Sequence, residues 1–174
     1  MTRAATGSAM AGRLTADAGL AQPCVIDLGA GQLRAWLRSR IYWNGASPEW
    51  ACLYRGDSFD AGRNWSVPQR TAIQNNSSFQ LTRLANGWLA LVYNHQRAPQ
   101  RSPLNIALSA DNGNSWFAGR ELEPYDTSGA EYSYPSIAQT ADGLLHIAYT
   151  WRRTHIRHVC CSLEWIAQGN TLPG

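Results

Sequence analysis

The stretch SFDAGRNW, Ser58 to Trp65, returns as SADNGNSW, Ser109 to Trp116. Both spell Ser-x-Asp-x-Gly-x-x-Trp, and 109 minus 58 sets them 51 residues apart. Short Asp and Ser side chains bond readily to nearby backbone N–H groups and so close turns. Gly62 and Gly113 supply a backbone conformation that other residues resist. Trp65 and Trp116 are expected to fold back over the turn. The repeated motif reads as a structural clip built from Ser58, Asp60, Gly62 and Trp65, and again from Ser109, Asp111, Gly113 and Trp116. A chain that carries the same clip twice is expected to carry the surrounding unit more than once.

Working outward from the clips, three segments align. QPCVIDLGAGQLRAWLRSR leads to WACLYRGDSFDAGRNWS, SSFQLTRLANGWLALVYNH to SPLNIALSADNGNSWF, and YPSIAQTADGLLHIAYTWR to HIRHVCCSLEW. Their turn glycines, Gly31, Gly87 and Gly143, keep an interval of 56 residues (87 minus 31, 143 minus 87). Each segment has an apolar run, a Gly turn, a second apolar run, a variable loop and a third run. The runs have strand length, and ANG and ADG are hairpin turns. Repeats of three or four antiparallel strands at this period predict an all-β fold of propeller blades. The clips then sit where the third strand of a blade turns into the fourth.

Composition narrows the function. The chain has 174 residues, room for one domain with a core. Charged residues make up 16% and the formal charge is +3, with no basic run, so nucleic acid and membrane surfaces are not expected partners. Eight Trp and seven Tyr suit a β-rich core or a sugar-stacking face. Cys24, Cys52, Cys160 and Cys161 lack zinc spacing and read as buried free thiols, with Cys160 and Cys161 on opposite faces of a strand. No metal or organic cofactor is expected. Residues 1–21 lack the apolar core of an export signal and read as a disordered leader, or as the remainder of an upstream region. That leaves a cytoplasmic location as the default expectation. Residues 22–166 form the repeat domain, and 167–174 a tail.

The clip resembles the Asp-box of sialidases and the wider BNR-repeat group. LVYNH, RSPLNIALSADNGNSW and EYSYPSIAQTADGLLHIAYTWRRTHIRHV extend the resemblance, which runs from about Gln22 to Trp165. It implies blades of a six-bladed propeller. Three are legible, so the chain looks like half a propeller, with outer blade faces that would favour self-association.

The resemblance also implies a site. In sialidase-like enzymes an arginine triad clamps a carboxylate, a Tyr is the nucleophile, a Glu activates it, and an Asp is the acid/base; sialidases depart from the two-carboxylate scheme of most glycosidases. Arginine suits a carboxylate because its planar fork matches two oxygens. By this resemblance Arg38 and Arg101 match triad arginines, with Arg40 the rival to Arg38. Tyr134, nine residues before Gly143, matches the nucleophile, with Tyr132 as the alternative. Gln22 stands where the family has its Glu; Gln is no base, and Glu131 is the nearest substitute. The third arginine and the Asp have no match. Asn94 and His95 end an inner strand and are expected to face the same hollow, where they would bond sugar hydroxyls. Arg153 and His158 occupy the third repeat's equivalent region; His146, His155 and Trp151 read as structural. The implied function is a glycoside hydrolase acting on a terminal acidic or related sugar. The alternatives are a non-catalytic carbohydrate-binding or assembly propeller, or an inactive remnant.

Overall fold

The 56-residue interval becomes three antiparallel sheets in a computed structural model, which describes residues 12–14, 19–39, 51–98 and 100–173. The first sheet holds β1 (Ala21–Gly29), β2 (Gln32–Arg38), β3 (Cys52–Ser58) and β4 (Gln69–Gln74), in that spatial order. The second holds β5 (Gln80–Arg83), β6 (Leu89–Tyr93), β7 (Leu104–Ser109) and β8 (Ala118–Glu123). The third holds β9 (Tyr132–Gln139), β10 (Leu145–Trp151) and β11 (His155–Cys161). The opening strands line up, β1 against β5 and β5 against β9, which makes them the inner strands of three successive blades. A five-residue helix, α1 (Leu163–Ala167), follows β11; Ser162 caps it, and it packs on β7 and β8.

Side-chain alternation explains why the blades stack. In a strand, successive residues face opposite sides. On β6, Leu89, Leu91 and Tyr93 face the first blade and pack with Ile26, Trp36, Leu53 and Ile73. Ala90 and Val92 face the third blade and pack with Ile137, Leu145, Ile147 and Tyr149. The middle blade is therefore apolar on both sides, and every residue of β6 and β7 is buried. Each such Leu or Ile contributes about 1.5–3 kcal/mol relative to exposure.

The outward faces of the end blades differ. On the first, Ala35, Leu37, Cys52 and Tyr54 form a small cluster with Leu14, Leu20 and Trp65, so part of the stretch read as a leader packs on the blade. On the third, Ser136, Ala138, Ile156, His158 and Cys160 are exposed. The thiols are all free. Cys52 and Cys161 are buried and Cys24 partly so, but Cys160 is exposed, because alternation along β11 turns it away from its buried neighbour Cys161. This corrects the expectation of four buried thiols.

Candidate functional site

Register gives each blade two ends. Leu33 pairs with Ser58 and Leu89 with Ser109, which puts both clips at the end of the Gly turns. Ala21 pairs with Arg38 and Tyr132 with Trp151, which gathers the strand starts and the β10–β11 turn at the opposite end.

The clips are built alike. Ser58 Oγ accepts from Gly62 N at 2.9 Å and donates to Asp60 Oδ1 at 2.9 Å; Asp60 Oδ1 also accepts from Asn64 N at 2.8 Å. Ser109 Oγ accepts from Gly113 N at 2.8 Å, and Asp111 Oδ1 accepts from Ser115 N at 2.8 Å. The Asn64 backbone and side-chain bonds hold the Asp60 carboxyl at about 2. At Asp111 desolvation opposes ionisation, yet the Ser115, Ser109 and Asn114 bonds outweigh it and bring the carboxyl to about 2. Trp65 folds back as expected, its indole N–H on Gly62 O at 3.1 Å. Trp116 instead reaches the first blade and meets Trp36 edge-on at 6.1 Å. Arg34 and Arg55 of that blade also reach the second clip, on Asn112 O (2.7 Å) and Asn114 Oδ1 (2.8 Å).

At the other end the chain is strained. Gln22 and Tyr134 have φ of 50° and 54°, each directly before a proline and each within a register shift. A residue before proline prefers extended backbone, and a positive φ costs a side-chain-bearing residue free energy. Ser78 sits between them, 56 residues from each (78 minus 22, 134 minus 78), and its Oγ accepts from Tyr134 N at 2.9 Å. Arg152 and Arg153 also have positive φ, 49° and 56°, in the β10–β11 turn.

These turns bring four of the expected residues together. The Arg101 guanidinium lies over the Tyr134 ring, 5.0 Å from its centroid, and its Nη1 is 3.6 Å from Glu131 Oε1. Arg153 Nε meets the same Oε1 at 2.9 Å, its Nη2 meets Oε2 at 3.0 Å, and Ser133 donates to Oε1 at 3.1 Å. Arg153 above all, then Arg101 and Ser133, holds the Glu131 carboxyl below its ordinary value. Tyr134 is 56% exposed, so its ring is open to a ligand. Tyr132, the alternative, is buried. Four residues not anticipated complete the setting: Ser78, Ser133, Arg152 and its partner Asp126. The 56-residue interval marked Ser78 in the sequence; nothing marked the other three.

The remaining candidates separate. Arg38 lies at this end of the first blade, Nη1 3.5 Å from Asn76 O; Arg40 lies outside the described residues. Gln22 is exposed at the start of β1. Asn94 does not offer donors to a hollow: it is buried, and its amide donates to Pro103 O (3.0 Å) and Tyr132 O (3.1 Å) while accepting from Ser77. His95 is half-buried beside Tyr93, and burial lowers its pKa. His158 is not at this end. It lies midway along the outer strand β11, opposite Ala148 and with its Nε2 3.0 Å from His146 Nδ1, because its place in the strand register sets it there.

Antiparallel sheets around shared inner strands, two of them clipped by Asp-boxes at one end, define successive blades of a β-propeller. The chain belongs to the BNR repeat-like domain family, whose model matches residues 3–147. No curated protein matches the chain. Among solved structures it is similar to the Hadza microbial sialidase Hz136, at 20% identity and TM-score 0.67 over 85% of this chain and 28% of that one. It is similar to the intramolecular trans-sialidase of Ruminococcus gnavus at 15% identity and TM-score 0.67, over 85% of this chain and 34% of that one. The α-L-arabinanase of Penicillium chrysogenum matches at 18% identity and TM-score 0.60, over 89% of this chain and 49% of that one. The chain thus spans about a third or less of the sialidases it matches, and the shared feature is the fold.

Proposed function

We propose that this chain supplies part of a carbohydrate site of the sialidase-like glycosidases, selective for an acidic sugar. The observation that carries the reading is Arg101 stacked on the exposed Tyr134 ring and tied through Glu131 to Arg153. Two guanidiniums against one carboxylate leave a surplus positive charge, and a sugar carboxylate matches a guanidinium fork. The R. gnavus trans-sialidase was solved in complex with oseltamivir carboxylate, a ligand that bears a carboxylate. Arg38 is the further clamp residue in this proposal, Tyr134 the nucleophile, and Gln22 the strained partner across the same end.

A binding role without turnover is favoured for the chain by itself. Gln22 cannot take a proton from Tyr134, and the Glu131 carboxylate, already bonded to two arginines and Ser133, is a weakened base. The isolated chain is expected to show no release from a fluorogenic sialoside; brisk release would refute the binding role. Calorimetry should find that Arg101→Ala weakens binding of N-acetylneuraminic acid about ten-fold or more, the cost of a lost charged hydrogen bond. Equal binding by the two proteins would reject Arg101 as the clamp. In a longer relative, substitution at the counterpart of Arg38 should cost far more affinity than at that of Arg40.

A further inference from the structure

Cys160 is the exposed member of four free thiols, and it does not stand alone. Alternation on β11 puts His158 and Cys160 on one face, and register sets His146 of β10 directly opposite Cys160. The thiol sulfur is 3.8 Å from His146 Nε2, and His146 Nδ1 is 3.0 Å from His158 Nε2, the two ring planes within 20° of each other and their centroids 5.2 Å apart. The three groups form a chain with His146 in the middle. Its two nitrogens face opposite partners, an arrangement for passing a proton rather than for holding a metal. Among the described residues no three His, Cys, Asp or Glu side chains are grouped to bind a metal ion. Asp142, in the β9–β10 turn, adds a nearby carboxylate. The Thr140 hydroxyl and then the Leu144 amide, bonding to it, lower its pKa from the ordinary value. Beside the sulfur a cleft of about 500 Å³ is lined by Leu144, Val159 and Trp165.

We propose that Cys160 is a reactive thiol served by His146 and His158, and that it exchanges with low-molecular-weight disulfides carrying an apolar group. If the thiol points its proton at His146 Nε2, then His146 Nδ1–H donates to His158 Nε2, and His158 keeps its own proton on Nδ1. His146 takes the thiol proton as Cys160 Sγ attacks one sulfur of the disulfide. A new sulfur–sulfur bond forms to Cys160, the disulfide's own bond breaks, and the departing thiolate takes the proton back from His146. His158 Nε2 steadies the imidazolium by accepting from His146 Nδ1–H, as an orienting partner does for a general base. The cleft seats the apolar group.

The test is the rate of mixed-disulfide formation with 4,4′-dithiodipyridine at neutral pH, with the modified residue located by mass spectrometry. Cys160 is expected to react first, ahead of the buried Cys52 and Cys161, and Cys160→Ser to abolish the fast phase. His146→Ala should slow that phase at least about ten-fold, with His158→Ala slowing it less and His158→Gln restoring part of the loss. Unchanged melting curves for these surface variants would tie the loss to chemistry. An unchanged rate in His146→Ala would overturn the proposal, as would first modification at another cysteine, or a fast phase that appears only after a chelator is added.

Discussion

Two glycines of the same backbone conformation predict different outcomes at the residue scale. Gly113 has φ of 79°, and a Cβ there would come within 2.5 Å of Trp36 Cζ2. Gly143 has φ of 86° and open space around the same position. Gly143→Ala therefore meets the left-handed backbone penalty alone, about 1 kcal/mol. Gly113→Ala meets that penalty plus a clash with a fully buried indole, about 3 kcal/mol in all. Thermal melts should show a drop several degrees larger for Gly113→Ala, and equal drops would contradict the packing of the second clip against the first blade. The motif announced Gly113 as a turn residue. It did not announce the close approach, because Trp36 lies 77 positions away (113 minus 36) in another blade.

At the scale of elements, the second clip joins two blades as well as closing a turn. Arg34, only 9% exposed, bonds Asp57 in its own blade (Nε–Oδ1 2.6 Å) and Asn112 O in the next. Arg34→Ala removes one side of a nearly buried ion pair and should cost about 2–4 kcal/mol in chemical denaturation. A loss within measurement error would deny the bridge a structural role. Acid provides a second test. The Asp60 and Asp111 carboxyls lie at about 2, below the 3.8 of an unconstrained Asp. A depressed folded value means that their contribution is complete above about pH 4 and is lost as pH falls toward 2. Asp60→Asn and Asp111→Asn should lower stability at neutral pH and flatten its decline between pH 4 and 2. An unchanged acid profile would show that the carboxylates do not carry the clips.

Across the whole molecule, the fold was legible because its signals are local and repeat. Gly31, Gly87 and Gly143, the alternation of LALVY and the doubled clip each point to strands, and a common interval turns strands into blades. The grouping of the candidate residues was legible in part. Arg101, Glu131, Tyr134 and Arg153 come together as the inner-strand starts and the β10–β11 turn converge. Asn94 also lies at that end, but its amide has been taken up by the backbone of neighbouring strands, a contact set by loop paths that sequence spacing does not record. His158 was misplaced because a strand's end and its middle look alike in the sequence when the turn before it, Arg152 to Thr154, has no glycine to mark it.

In the proposed function, an acidic sugar meets the blade end opposite the clips. Chemical-shift mapping on the isotope-labelled chain with millimolar N-acetylneuraminic acid tests it most directly, with an uncharged hexose as control. Saturable shifts are expected at Arg101, Glu131 to Tyr134 and Arg153 with the acid and none with the hexose. Shifts centred on Ser58 to Trp65 or Ser109 to Trp116, or the same response to both sugars, would contradict it.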